Sequence, residues 1–173
     1  RAGSCCDTIP GAGTAVPEPG AGGSVGGGVS DYTAFLASKE HRVPPCGLEV
    51  ADADIHPSLF PFQRAQVRWA ARRGRAALFN GTGLGKTRMQ IEWARLTGER
   101  TLILAPLAVA HQTIAEAAVI DAEVRYVRDA REAADAGCQI VISNYERLHL
   151  FDASAFGAVV LDESSILKAF SGA

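Results

Sequence analysis

The chain has 173 residues, of which 47% are hydrophobic and 21% charged, the profile of a water-soluble globular protein with enough apolar material for one core domain. Its formal net charge of −2 excludes a strongly basic nucleic-acid binder by composition, while leaving room for a local basic face. No apolar run reaches the length of about 18 residues that a membrane-spanning helix needs, and the N-terminal stretch lacks the order of a signal peptide.

Residues 1–30 are rich in Gly, Pro and Ala, bury almost nothing, and are predicted to be disordered. Residues 31–58 read as a short helix over "DYTAFLASKE" and then a loop broken at Pro44, Pro45 and Pro57. Pro61 is suited to a first helical position and Gly74 to a helix stop, which predicts a helix between them. Phe62, Ala65, Trp69 and Ala70 share one face of that helix, and Arg64, Arg68 and Arg72 recur at i, i+4, i+8 on another.

From there, apolar runs of strand length alternate with helical stretches. The strands are "RAALF" (75–79), "TLILAP" (101–106), "VRYV" (124–127), "QIVISN" (139–144) and "AVVLDE" (158–163). The helices fall at 86–97, 107–119 and 129–136, the last opening with Asp129 and Glu132 at capping-box spacing and ending at Gly137. Continuous apolar strands separated by helices predict an α/β domain, a doubly wound and mostly parallel sheet with helices on both faces.

The stretch "NGTGLGKT" (80–87) stands between the first of these strands and a helix starting near Lys86, the context a phosphate-binding loop requires. Gly81, Thr82, Gly83, Leu84 and Gly85 would present backbone N–H groups to an anion at a helix N-terminus. Lys86 would place a cation against the β- and γ-phosphates of ATP, and the Thr87 hydroxyl would bind Mg²⁺. Asn80 stands where the strict GxxxxGK[ST] pattern has its first glycine, so the loop takes the xxGxGKT form. The alternative is a glycine-rich turn with a chance GKT.

Asp162 and Glu163 fall at the C-terminal end of the last strand, the edge at which ligands bind in open α/β sheets. Asp162 is suited to hold Mg²⁺ and Glu163 to orient or deprotonate an attacking water. Two ordinary carboxylates at a strand end are the alternative. The four cysteines, Cys5, Cys6, Cys46 and Cys138, show no ligand spacing for zinc and no disulfide framework, which fits a reducing, cytoplasmic compartment.

These segments carry a family likeness. From about residue 31 to the end, the chain resembles the first RecA-like domain of superfamily 2 helicases and translocases of the DEAD/DEAH-box and Swi/Snf-related kind, in particular a group often seen in phages and prophages. "LFPFQ" (59–63) resembles the Q motif and "NGTGLGKT" motif I. "LILAPLAVAHQT" (102–113) resembles motif Ia, "VISNYERL" (141–148) the segment leading toward motif II, and "LDESSILK" (161–168) motif II. The resemblance implies that Gln63 reads the adenine edge, a task an amide donor–acceptor pair suits. It also implies catalysis through Lys86 and Glu163, ATP with Mg²⁺ as cofactors, and nucleic acid as partner, with DNA ahead of RNA. DESS stands where the family has DEAD or DEAH, which keeps the acidic pair and puts its coupling to a second domain in doubt.

The family's nucleic-acid track implicates Pro106, Leu107 and Asn144. Arg64, Arg68, Arg72, Arg73 and Arg75 could contact phosphates, but such a stripe is more often a solvated helix face or the rim of the nucleotide pocket. His111 and His149 read as surface or packing residues. The sequence stops shortly after motif II, so it is expected to be a piece of a motor without motif III or the second RecA-like domain and its arginine fingers, weakly active or inactive by itself and with a sheet edge prone to aggregation. A non-motor P-loop protein and an inactive helicase remnant stand as alternatives.

Overall fold

A computed structural model describes Tyr32, Phe35, Leu36 and residues 44–165. The chain divides into two units, Arg1–Pro44 and Pro45–Ala173. In the first, Tyr32, Phe35 and Leu36 are helical and exposed, with the two rings stacked at 6.5 Å. The Gly-rich segment 1–30 and the rest of the short helix expected after it lie outside the described residues, as do residues 166–173, which include the end of the motif II stretch.

The second unit is an α/β domain. Its regular elements are α1 (Pro61–Arg73), α2 (Lys86–Thr97), β1 (Thr101–Leu104), α3 (Leu107–Ala118), β2 (Val124–Tyr126), α4 (Ala130–Asp135), β3 (Ile140–Ser143) and β4 (Ala158–Leu161), with single 3₁₀ turns between some of them. The strands form one sheet in the order β2-β3-β1-β4, every pair parallel, with Leu102 opposite Val141 on one side and Val159 on the other.

Successive residues of a strand point to opposite faces, and here both faces are covered. Ile103, Ile140 and Ile142 pack against Val67 of α1, Met89 and Ile91 of α2, and Ala110 and Ala117 of α3. Leu102, Leu104 and Val141 pack on the opposite side with Val127, Ala133 of α4, Ala136 and Tyr145, joined at the margin by Phe151 and Phe156. The doubly wound architecture expected from alternating strands and helices is therefore present. Among the described residues no helix is long and apolar enough to cross a membrane.

Helix boundaries follow local chemistry. Pro61 opens α1, whose N-cap N–H at Phe60 is taken by the Gln63 side chain at 2.9 Å, and Gly74 closes it at φ 73. Asp129 caps α4 by accepting the Glu132 N–H at 2.9 Å, while the Glu132 carboxylate reaches back to the Arg128 N–H at 2.8 Å.

Three expectations are corrected. The run 75–79 is not a strand: no ladder joins it to the sheet, and Phe79 is 97% exposed. An apolar run becomes a strand only where a partner offers a ladder, and none of the described strands does so here. The buried face of α1 is Gln63, Val67, Ala70 and Ala71, whereas Phe62 and Trp69 are about half exposed. The face was misjudged because the amide of Gln63 is satisfied inside the protein, which lets a polar residue anchor the buried stripe. The third concerns strand ends: β1, β2, β3 and β4 stop at Leu104, Tyr126, Ser143 and Leu161, short of the expected 106, 127, 144 and 163, and β3 starts at Ile140 rather than 139.

The arginine stripe is largely engaged within the domain. Arg64 donates to the Asp52 carboxylate and carbonyl at 2.6 Å each and to the Ile55 and His56 carbonyls, Arg68 lies 3.8 Å from Asp52, and Arg72 pairs with Glu49 at 3.0 Å. Arg64 thereby clamps the 52–56 turn onto α1.

Candidate nucleotide site

The loop 80–85 leads straight into α2. Gly83 and Gly85 hold φ of 78° and 72°, in the left-handed region that glycine enters without a Cβ penalty. At Gly85 a Cβ would also come within 2.3 Å of Gln63 Nε2, so both conformation and space require glycine there. The N-terminus of α2 has no side-chain cap, which leaves its first-turn N–H groups and the positive end of the helix dipole facing outward.

Lys86 Nζ donates to the carbonyls of Asn80 and Gly81 at 3.2 Å each. The Asn80 side chain, where the stricter motif has glycine, donates to Gln66 Oε1 at 2.6 Å and so ties the loop to α1. Gln63 is 4% exposed, and its Nε2 donates to the Leu84 carbonyl at 3.0 Å while its Oε1 holds the Phe60 N–H. One N–H and one lone pair of its amide are left over for any ligand base.

The acidic pair meets this loop. Asp162 follows β4 directly, is 6% exposed, and its N–H continues the β1 ladder to the Leu104 carbonyl at 2.8 Å. Its carboxylate Oδ1 accepts from Gln90 Nε2 of α2 at 2.9 Å, and its carbonyl accepts from the Tyr145 hydroxyl at 2.7 Å. Glu163 is exposed and stands at φ 52, a conformation that costs a non-glycine residue about 1–3 kcal/mol and lasts only where its surroundings impose it. Thr82, Gly83, Gly85, Lys86, Thr87, Asp162, Glu163 and Gln63 all line one cleft of about 560 Å³, within the usual size of small-molecule sites. Gly81 and Leu84 belong to the same loop without lining that cleft.

Burial raises the Tyr145 hydroxyl to about 12, helped by the negative charges of Asp162 and Glu163. Because the folded value lies above the ordinary value of 10.0, the neutral phenol stabilises the fold fully below pH 10. That contribution is lost as pH rises from about 10 toward 12, where only the unfolded chain ionises freely. In a tyrosinate absorbance titration, one of the three tyrosines is expected to ionise last, in step with alkaline unfolding. A Tyr145→Phe variant that leaves the late phase in place would refute the assignment.

The Thr87 hydroxyl and the Asp162 carboxylate both line the cleft, and such oxygen donors are the chemistry that suits Mg²⁺ when phosphates complete its shell. Among the described residues no three His, Cys, Asp or Glu side chains gather to hold a metal by themselves. Buried Gln90 Oε1, which has no hydrogen-bond partner among those residues, adds an acceptor next to that carboxylate.

Four contributors were missed in the sequence. Gln90, Tyr145, and the Arg88–Glu116 pair that joins α2 to α3 at 2.5 Å act through neighbours distant in sequence. Only Gln90 carried a local signal, one helical turn beyond Thr87 on the same face. Asn144, expected near a nucleic-acid track, is buried and hydrogen-bonded to Tyr126 and Glu146, while Leu107 is exposed at the start of α3. His111 and His149 are exposed. No protein-family model matches the chain, and no curated protein matches it.

Proposed function

We propose that this domain binds ATP with Mg²⁺ and is the first motor domain of an ATP-dependent helicase or translocase acting on nucleic acid in the cytoplasm. The observation that carries the proposal is the convergence of an uncapped glycine-loop helix start, Lys86, Thr87 and the Asp162–Glu163 pair on one cleft. Loop N–H groups and Lys86 would bind the phosphates, and Thr87 and Asp162 would hold Mg²⁺, which when bound neutralises charge developing on the phosphoryl oxygens. Glu163 would orient the attacking water and take its proton, and the remaining Gln63 N–H and lone pair would meet the base. The helicase part of the proposal rests on the motif resemblance. The same resemblance assigns the arginine finger, worth about 10³–10⁵ in rate, to a second RecA-like domain.

Calorimetric titration with ATP and Mg²⁺, followed by a steady-state ATPase assay, tests this. Weak saturable binding with slow turnover is the expected result. No binding at millimolar ATP would overturn the nucleotide assignment. Robust turnover stimulated by nucleic acid and abolished in Lys86→Ala would overturn the dependence on a second domain.

A further inference from the structure

Gln90 reaches the buried carboxylate of the cleft without lining the cleft itself. Gln90 sits on α2 one turn after Thr87, and its Nε2 donates to Asp162 Oδ1 at 2.9 Å. Its Oε1 is buried and accepts no hydrogen bond among the described residues. Exchanging the amide's oxygen and nitrogen would not remedy this, because two acceptor oxygens would then face each other across 2.9 Å. The amide orientation is therefore dictated by the carboxylate, and the unmet acceptor is a consequence of holding Asp162.

An unsatisfied buried acceptor costs about 1–3 kcal/mol, and here that cost accompanies the fixed position of the Asp162 carboxylate. The oxygen shares its amide with the contact to Asp162, and Thr87 lies one turn earlier on the same helix. Mg²⁺ keeps several waters when only one or two protein oxygens bind it, so the placement of each protein oxygen weighs heavily on its binding.

We infer that Gln90 is a positioning residue for the metal side of the site, its N–H holding Asp162 Oδ1 so that the carboxylate is fixed in place for the nucleotide-bound divalent cation. The inference rests on the proposed nucleotide site and adds a residue to it. Among the described residues, Gln90 is the one side chain that hydrogen-bonds the Asp162 carboxylate, so it also couples the end of β4 to the helix that carries Lys86 and Thr87. Outer-shell partners of this kind typically change metal affinity by about 10- to 100-fold when removed.

The test compares nucleotide affinity with and without the cation in the full chain. ADP binding is measured in excess Mg²⁺ and again in EDTA, for the wild type and for Gln90→Met, which keeps the length of the side chain and removes both polar atoms. The expected result is that the gain in ADP affinity on adding Mg²⁺ shrinks by about tenfold or more in Gln90→Met, while affinity in EDTA is unchanged. Mn²⁺ bound with ADP, followed by electron paramagnetic resonance, should show the same loss without any turnover. An unchanged Mg²⁺ gain in Gln90→Met would overturn the inference while leaving the nucleotide site standing. Equal losses with and without the cation, or a matching loss of thermal stability, would show a structural role and also overturn it. No ADP binding by the wild type would overturn the nucleotide site itself, and the inference with it.

Discussion

Replacing Lys86 with alanine is expected to weaken ATP·Mg²⁺ binding by about 10- to 100-fold with little effect on stability. Hydrogen bonds to charged groups contribute about 1.5–3 kcal/mol, which converts to that range at about 1.4 kcal/mol per tenfold. In the folded chain the ammonium donates to the Asn80 and Gly81 carbonyls, which keep it against the loop whose N–H groups would meet the same phosphates. The Gly81 contact is exposed to water, so losing both contacts should cost no more than about 1 kcal/mol of stability. Calorimetry on the variant, paired with its melting curve, checks both halves. Affinity equal to wild type would remove Lys86 from the binding role and with it the main support for a phosphate site.

The largest expected effect on stability lies away from the cleft, at Glu92. This residue is fully buried on α2, and its carboxylate accepts from the His56 N–H at 2.7 Å and from Arg95 Nε and Nη2 at 2.9 and 2.8 Å. Arg95 also donates to the Asp54 carbonyl at 2.6 Å, so the pair fastens the 52–56 turn to α2 while Arg64 fastens it to α1. The Glu92 carboxylate beside it holds Arg95 above its ordinary value, through the side-chain hydrogen bond first and charge second.

Glu92→Ala leaves a buried N–H and a guanidinium without their acceptor. Breaking such a pair costs about 3–5 kcal/mol, and the partial exposure of Arg95 places this case near 3. Urea unfolding should show that loss as a lower midpoint with an unchanged slope. Joint replacement of Glu92 and Arg95 with leucine should recover part of the loss, since no buried charge is then stranded. A loss below about 1 kcal/mol in Glu92→Ala would mean that the turn is held by Arg64 and packing alone.

The exposed side of β4 bears on handling. Val159 and Leu161 are about half exposed on a strand that pairs only with β1 among the described strands. An apolar sheet edge of this kind favours association between chains.

What the sequence determined by itself about this protein was mostly local. Gly83 and Gly85 in the GLGKT stretch, Pro61 and Gly74 around a helix, and Asp129 with Glu132 all act within a turn or two of their own positions, and each took up the structure its chemistry requires. β1 and β3 were legible because a strand buried on both faces must be apolar throughout, whereas β2 and β4 are only partly buried and showed as short runs of strand-forming residues. The tertiary structure alone decided whatever depends on a distant partner. It denied a ladder to 75–79, turned Gln63 inward to Leu84 and Phe60, and engaged Arg64 and Arg72 with Asp52 and Glu49. It also brought Gln90 onto a carboxylate 72 positions away. Residue type and spacing encode what a side chain is able to do, but which neighbour satisfies it is settled only when remote segments pack together.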